Sequence, residues 1–113
     1  MKISLREDKN KKIKIVDIEG EVDVYTSMEL KKDLNNLIDA GEKRLIVNLE
    51  KVVYMDSSGL GILVAVLKRI RSEKGNMKLI KLTPGIKKIF ELTRLTKFFE
   101  IFDTEENGMK SFE

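Results

Sequence analysis

Hydrophobic residues recur along this chain with two different spacings, and each spacing predicts one type of element. Ile3 and Leu5 alternate with polar residues, and Ile13 and Ile15 do so again after the polar turn at 8–11. Alternation is typical of strands with one buried face, so we predict that a β-hairpin opens the chain. The apolar phase changes further along the second strand, which predicts a bulge or a strand covered on both faces.

Helical spacing follows the hairpin. Thr26 precedes Glu29 by three residues, which matches a capping box, and Gly41 is placed to end the helix. The apolar stripe of this predicted helix consists of Leu30, Leu34, Leu37 and Ile38. The next apolar run, at 45–47, does not alternate, which favours a central strand buried on both faces.

The second half of the chain continues to alternate strands with helices. A second helix is predicted to run to about Lys74 before Gly75, and Thr83 with Pro84 is typical of a third helix start. The other predicted elements are a strand over 77–82, a short strand within 98–102 and a polar helix within 104–112. This order predicts an α/β fold around a mixed, mostly parallel sheet.

Polar residues crowd two loops that each leave a predicted strand and enter a predicted helix. The first loop is 20–26, with the sequence GEVDVYT, and the second is 54–59, with the sequence YMDSSG. Functional loops of such sheets lie at the carboxyl ends of the strands. Each loop also places backbone N–H groups at the positive end of a helix, which favours negative charge.

The second loop has a purely structural interpretation beside any functional one. Asp56, Ser57 and Ser58 are preferred helix caps, and a cap needs no further role. Gly59 and Gly61 each cost the helix roughly 1 kcal/mol against alanine. Close packing on the sheet, or close approach of a partner, would explain that cost.

The helix after this loop has a predicted core face and a predicted outer face. Leu63, Val66, Leu67 and Ile70 share the core face; Ile62 and Val64 flank it; Gly61, Ala65 and Lys68 point away. The first two turns are therefore apolar or small nearly all round. The helix is either deeply buried or offers a flat docking surface beside the serines, and both interpretations stay open.

The composition excludes several classes of function. The 113 residues include no histidine and no cysteine, so a catalytic serine lacks its usual base and thiol chemistry is excluded. The glycine motifs that bind nucleotide phosphates are incomplete, and the net charge of +3 is too mild to indicate nucleic-acid binding. No apolar run approaches the about 20 residues that a membrane-spanning helix needs. We expect a soluble, cytoplasmic protein that is not an enzyme, needs no cofactor or metal, and contacts neither nucleic acid nor membrane directly.

Regulation by phosphorylation suits the second loop better than catalysis. A phosphate on a serine at the helix start would meet free N–H groups, so the fold would tolerate it. It would add about −1.5 to −2 charges beside Asp56 and, if the two loops are adjacent, beside Asp23. That charge would repel a bound partner.

The two loops resemble the most specific motifs of the STAS-domain family, as found in bacterial anti-sigma factor antagonists. The matching stretches are YMDSSGLG at 54–61 and GEVDVY at 20–25, where the family typically has G-E-[ILV]-D. The resemblance covers about 3–102 and implies a single STAS domain over 1–113. It also implies a small mixed sheet of about five strands, with about four helices packed mainly on one side.

The resemblance further implies a mechanism and a set of site residues. Unphosphorylated members bind an anti-sigma factor that is also a serine kinase, and this binding releases a sigma factor. Phosphorylation of a serine, which corresponds here to Ser57, ends the binding. A serine phosphatase removes the phosphate and restores the binding form. Asp23 and Asp56 would orient the Ser57 hydroxyl or a kinase-bound metal, and Ser58 would cap the helix or serve as a backup hydroxyl. The expected partner contacts are Asp23, Tyr25, Thr26, Met55, Asp56, Ser58, Gly59, Gly61 and Ile62. The alternatives are a scaffold STAS module of a larger signalling assembly and a nucleotide-binding STAS domain.

Overall fold

A computed structural model describes residues 1–113, and its strands form one five-stranded sheet in the order β1-β2-β3-β4-β5. The elements are β1 (Lys2–Asp8), β2 (Ile13–Val22), α1 (Ser27–Asp39), β3 (Arg44–Met55), α2 (Ser57–Ser72), β4 (Asn76–Ile80), α3 (Pro84–Leu92), a 3₁₀ turn (Leu95–Lys97), β5 (Ile101–Phe102) and α4 (Glu105–Lys110). β1 and β2 are antiparallel, and the other neighbours are parallel. The predicted hairpin and mostly parallel α/β sheet are therefore confirmed.

Apolar residues cover both faces of the sheet. The main core lies between the sheet and α1, α2 and α3, whose buried side chains include Leu34, Leu67 and Phe90. A smaller cluster on the opposite face contains Ile13, Ile15, Ile46 and Ile80, covered by Phe102, Met109 and Phe112. Only α4 packs on this second face, which confirms that the helices lie mainly on one side.

Both explanations for the phase change in β2 are correct. Ile15 faces the smaller cluster, whereas Val16 faces the main core. The register between β2 and β3 also shifts twice, after Asp17 and again after Gly20, and the second shift leaves Val53 of β3 without a partner. β2 is thus covered on both faces, and bulges interrupt its pairing with β3.

Two predicted helix boundaries are confirmed by their hydrogen bonds. Gly41 ends α1 with a φ of 93°, and its N–H donates to the carbonyl of Ile38. Thr83 caps α3, because its hydroxyl oxygen accepts from the N–H of Ile86 at 3.4 Å, and Pro84 fills the first helical position. None of the helices combines the length and the apolar character that crossing a membrane requires.

Other element ends differ from the prediction, because pairing between distant segments decides them. β3 continues to Met55, since it pairs with β2 as far as Val22. The strand predicted within 98–102 shortens to Ile101–Phe102, because Phe98 ends the 3₁₀ turn at Leu95–Lys97 with helical rather than extended backbone. Leu92, the last residue of α3, does not contribute to the apolar face of that helix, because its side chain is 74% exposed.

Candidate functional site

The parallel pairing of β2 and β3 brings the two polar loops together. Val22 and Met55 are paired at the carboxyl ends of these strands. The N–H of Asp56 also donates to the carbonyl of Val22 at 3.1 Å. Asp23 and Asp56 each follow the Val22–Met55 pair directly, so the two loops are adjacent at one edge of the sheet.

Asp23 organises the first loop. Its Oδ1 accepts hydrogen bonds from the N–H groups of Tyr25 at 2.9 Å and Thr26 at 3.0 Å. The bond from Thr26, followed by the bond from Tyr25, lowers the pKa of Asp23 against the opposing effect of desolvation, so this carboxylate is ionised at neutral pH. Asp23 therefore holds its own loop in place.

The predicted capping box at the start of α1 is wrong. The Thr26 side chain makes no cap bond to the helix. Its hydroxyl oxygen accepts from the N–H of Asp23 at 2.9 Å, and its hydroxyl donates to the carbonyl of Glu21 at 3.0 Å. Thr26 consequently closes the loop rather than the helix, and Glu29 has no capping partner.

Asp56, and not Ser58, caps α2. Its Oδ1 accepts from the N–H groups of Ser58 at 2.9 Å and Gly59 at 3.2 Å, and its carbonyl accepts from Leu60. The capping interpretation is thus correct for Asp56 and wrong for Ser58. The N–H groups of Ser58 and Gly59 are already bonded, which corrects the expectation that they are free to meet a phosphate.

Ser57 is the exposed first residue of α2. No group of the chain hydrogen-bonds to its hydroxyl, so in this state neither Asp23 nor Asp56 orients it. Ser58 is half-buried. Of the two adjacent serines, Ser57 therefore presents the more accessible hydroxyl, in one of two adjacent loops that each hold a carboxylate.

The two glycines of α2 have different surroundings. Gly59 is buried, and an added Cβ would lie 2.7 Å from Cγ1 of Val22 and 2.9 Å from Cγ of Met55. Gly61 is exposed, and no atom lies within 4 Å of a Cβ added there. We therefore correct the expectation that Met55 and Gly59 line a docking surface: both are buried where α2 packs on the sheet, and Gly61 remains accessible.

The rest of α2 follows the predicted division into faces. The four residues of the core face are buried: Leu63, Val66, Leu67 and Ile70. Gly61, Ala65 and Lys68 are exposed, and Ile62 is half-buried between the two faces. Deep burial therefore describes the core side of α2, whereas the interpretation as a docking surface can apply only to its exposed outer side.

Exposed apolar side chains gather around the two loops. Seven large hydrophobic residues are exposed, and five of them are Val24, Tyr25, Met28, Val53 and Tyr54. We call residues 23–28 and 53–57 the switch edge. The sequence analysis predicted Tyr25 as a partner contact and missed the other four. Met28 could have been noticed, because it lies outside the apolar stripe of α1.

No group of three or more carboxylates is placed to hold a metal ion.

Comparison with known proteins identifies the family. The STAS-domain model matches residues 4–108. This chain belongs to the STAS-domain family. The STAS domain is 35% identical over 95 residues to the anti-sigma-B factor antagonist of Bacillus subtilis, a match that covers 84% of this chain and 86% of that protein.

Solved structures agree on the fold. An anti-sigma factor antagonist from Mycobacterium paratuberculosis superposes with a TM-score of 0.85 at 21% identity, covering 98% of this STAS domain and 94% of that chain. The Bacillus cell fate determinant SpoIIAA, in its phosphorylated form, gives a TM-score of 0.75 at 22% identity, with coverages of 99% and 100%. The Bacillus subtilis relative, at 35% identity, is named as a regulator rather than an enzyme, which confirms the expectation that this STAS domain is not an enzyme.

Proposed function

We propose that this STAS domain, as an anti-sigma factor antagonist, binds its anti-sigma factor through the switch edge while Ser57 is unphosphorylated. The anti-sigma factor is a serine kinase that phosphorylates Ser57, and phosphorylation ends the binding. A serine phosphatase then restores the binding form. The observation that carries this proposal is the exposed, unbonded hydroxyl of Ser57 beside two anchored carboxylate loops.

The apolar side chains of the switch edge support its use as a binding surface. Tyr25 is 89% exposed and Val53 is 76% exposed, and neither residue contributes to the core. Exposed apolar side chains in a cluster are typical of protein–protein contact sites, where tyrosine is enriched. A partner that covered these side chains would approach Ser57, because all of them belong to two adjacent segments of the chain.

Electrostatic repulsion explains how phosphorylation would act. A phosphate on Ser57 adds about −1.5 to −2 charges next to Asp23 and Asp56. The capping bonds of Asp56 are made by its carboxylate and do not involve the serine hydroxyl, so the helix start keeps its cap. The fold is therefore retained. The partner dissociates, because binding would bury the added charge away from water and beside two carboxylates of the same sign.

The test compares Ser57→Ala with the matched variant Ser58→Ala during incubation with the cognate kinase and ATP. We expect mass spectrometry to find one phosphate on the wild type and on Ser58→Ala, and none on Ser57→Ala. Calorimetry should then show that phosphorylated wild type binds the kinase at least about tenfold more weakly, whereas Ser57→Ala keeps its affinity. A phosphate on Ser58, or equal affinity after phosphorylation, would contradict the proposal.

A further inference from the structure

We propose that β1 pairs with β1 of a second copy of this chain, so that two sheets join across a two-fold axis. β1 is paired with β2 along one side only. All seven residues of β1 pair in unbroken register with β2, so no bulge interrupts the free side of the strand. A regular edge strand of this length presents a continuous row of unpaired N–H and C=O groups.

Arg6 and Glu7, two of the four charged residues of β1, do not shield this edge, because their side chains are bonded within their own chain. Arg6 donates to the Asp17 carboxylate at 2.6 and 2.8 Å, and to Glu105 at 2.7 Å. Glu7 pairs with Lys14 at 2.5 Å. Charges normally protect edge strands by facing an approaching strand, and these two are held by partners away from the edge.

Leu5 occupies the middle of the exposed edge. It is 53% exposed, although its neighbour across β2 is the buried Val16. Leu5 therefore lies on the same face as the main core but extends past its margin. A second β1 strand would cover this residue with its own Leu5.

Charge selects one register for the pair of strands. We assume that the main-core helices of both copies lie on the same side of the joined sheet. Residues opposed across the axis must then lie on the same face of the sheet, so the possible registers differ from one another by two residues. Pairing Leu5 with Leu5 of the other copy opposes Lys2 to Asp8 twice, once on each side of the axis. The neighbouring registers lose both Lys2–Asp8 contacts, because they oppose Lys2 to Arg6 or Asp8 to Ser4, and opposite charges in direct opposition are favourable.

This pairing is independent of the proposed function. It uses the outer edge of the sheet, while the switch edge lies at the carboxyl ends of β2 and β3. The opposite edge of the sheet is a poorer site, because β5 has only two residues.

The experiment measures self-association of the full chain by sedimentation velocity over a wide range of protein concentration. We expect the wild type to form a dimer, and Leu5→Lys and Leu5→Glu each to weaken self-association at least about tenfold, because like charges then meet on the axis. A mixture of the two variants should associate again, since lysine then faces glutamate. Leu92→Lys, a change of the same kind at an exposed leucine far along the chain, should dimerise like the wild type.

Each other outcome overturns part of the inference. A wild type that stays monomeric, or a Leu5→Lys variant that dimerises normally, excludes pairing through β1. Failure of the mixed variants to associate excludes the register centred on Leu5. Circular dichroism of every variant separates loss of association from loss of folding.

Discussion

Asp56 and Ser57 are adjacent residues with opposite bonding states. The Asp56 carboxylate accepts two backbone hydrogen bonds, whereas the Ser57 hydroxyl has no partner within the chain. The aspartate fixes the start of α2, and this leaves the serine free without loss of helix stability. Structural capping and a regulatory hydroxyl therefore coexist in one short loop.

Substitution of Asp56 should separate the cap from the charge. We expect Asp56→Ala to lower the free energy of unfolding by about 1 kcal/mol, because the N–H groups of Ser58 and Gly59 lose their acceptor. Asp56→Asn keeps an acceptor oxygen at this position and should retain most of that stability. Urea unfolding at pH 7 measures both; an equal loss in both variants would show that the charge, rather than the cap geometry, stabilises the helix.

At the scale of a single element, α2 contains two glycines for two different reasons. Gly59 lets the first turn approach β2 and β3, where there is no room for a methyl group. Gly61 faces open space, so nothing within the folded chain requires a glycine there. Its presence is consistent with close approach of a partner, which is part of the proposed function.

The two glycines give a matched pair of substitutions in one helix. We expect Gly59→Ala to lower the free energy of unfolding by about 1–3 kcal/mol, because the new methyl group would overlap the side chain of Val22. Gly61→Ala should raise it by up to about 1 kcal/mol through helix propensity. Thermal and urea unfolding of both variants check this; a loss in Gly61→Ala would mean that its surroundings are closed.

At the scale of the whole molecule, one polar network joins three strands to the last helix. Arg6 of β1 bonds to Asp17 of β2 and to Glu105 at the start of α4, and Asn48 of β3 donates to Asp17 at 2.9 Å. The network lies on the second face of the sheet, beside the small cluster that α4 covers. It ties α4 to the strand that forms the free edge.

This network predicts how stability depends on pH. The hydrogen bond from Arg6, with a smaller contribution from Asn48, lowers the pKa of Asp17 against the effect of burial. A carboxyl whose pKa is lower in the folded state stabilises the fold above its unfolded pKa, and this stability is lost as the pH falls through the folded value. We therefore expect the free energy of unfolding to decline as the pH falls below about 4.

Asp17→Asn tests the contribution of this carboxylate. We expect it to lower stability at pH 7 by about 1–2 kcal/mol and to flatten the decline at acid pH. The decline should not vanish, because the pKa values of Glu7 and Asp23 are lowered as well. Urea unfolding between pH 7 and pH 3 measures both effects. Asp103→Asn, at an exposed residue, is the control. If the free energy of unfolding of Asp17→Asn declined with pH as steeply as that of the wild type, Asp17 would not be a source of the pH dependence.

The order of the elements and the place of Ser57 were determined by the sequence alone. Strand alternation, helical stripes and caps such as Thr83 depend on residues close together in the chain, so local patterns predict them well. The motif around Ser57 is equally local. The adjacency of Asp23 and Asp56 was only a condition in the sequence analysis, and the parallel pairing of β2 with β3 decides it.

Only the tertiary structure decided which residues of these motifs are accessible. Gly59 and Met55 are buried because β2 and β3 stay paired as far as Val22 and Met55, where α2 packs on them. Val53 is exposed, and the bulge leaves it without a partner in β2. Thr26 bonds to its own loop rather than to α1, because that loop turns back towards Glu21. Burial and bulges depend on contacts between segments far apart in the chain, which local spacing does not specify.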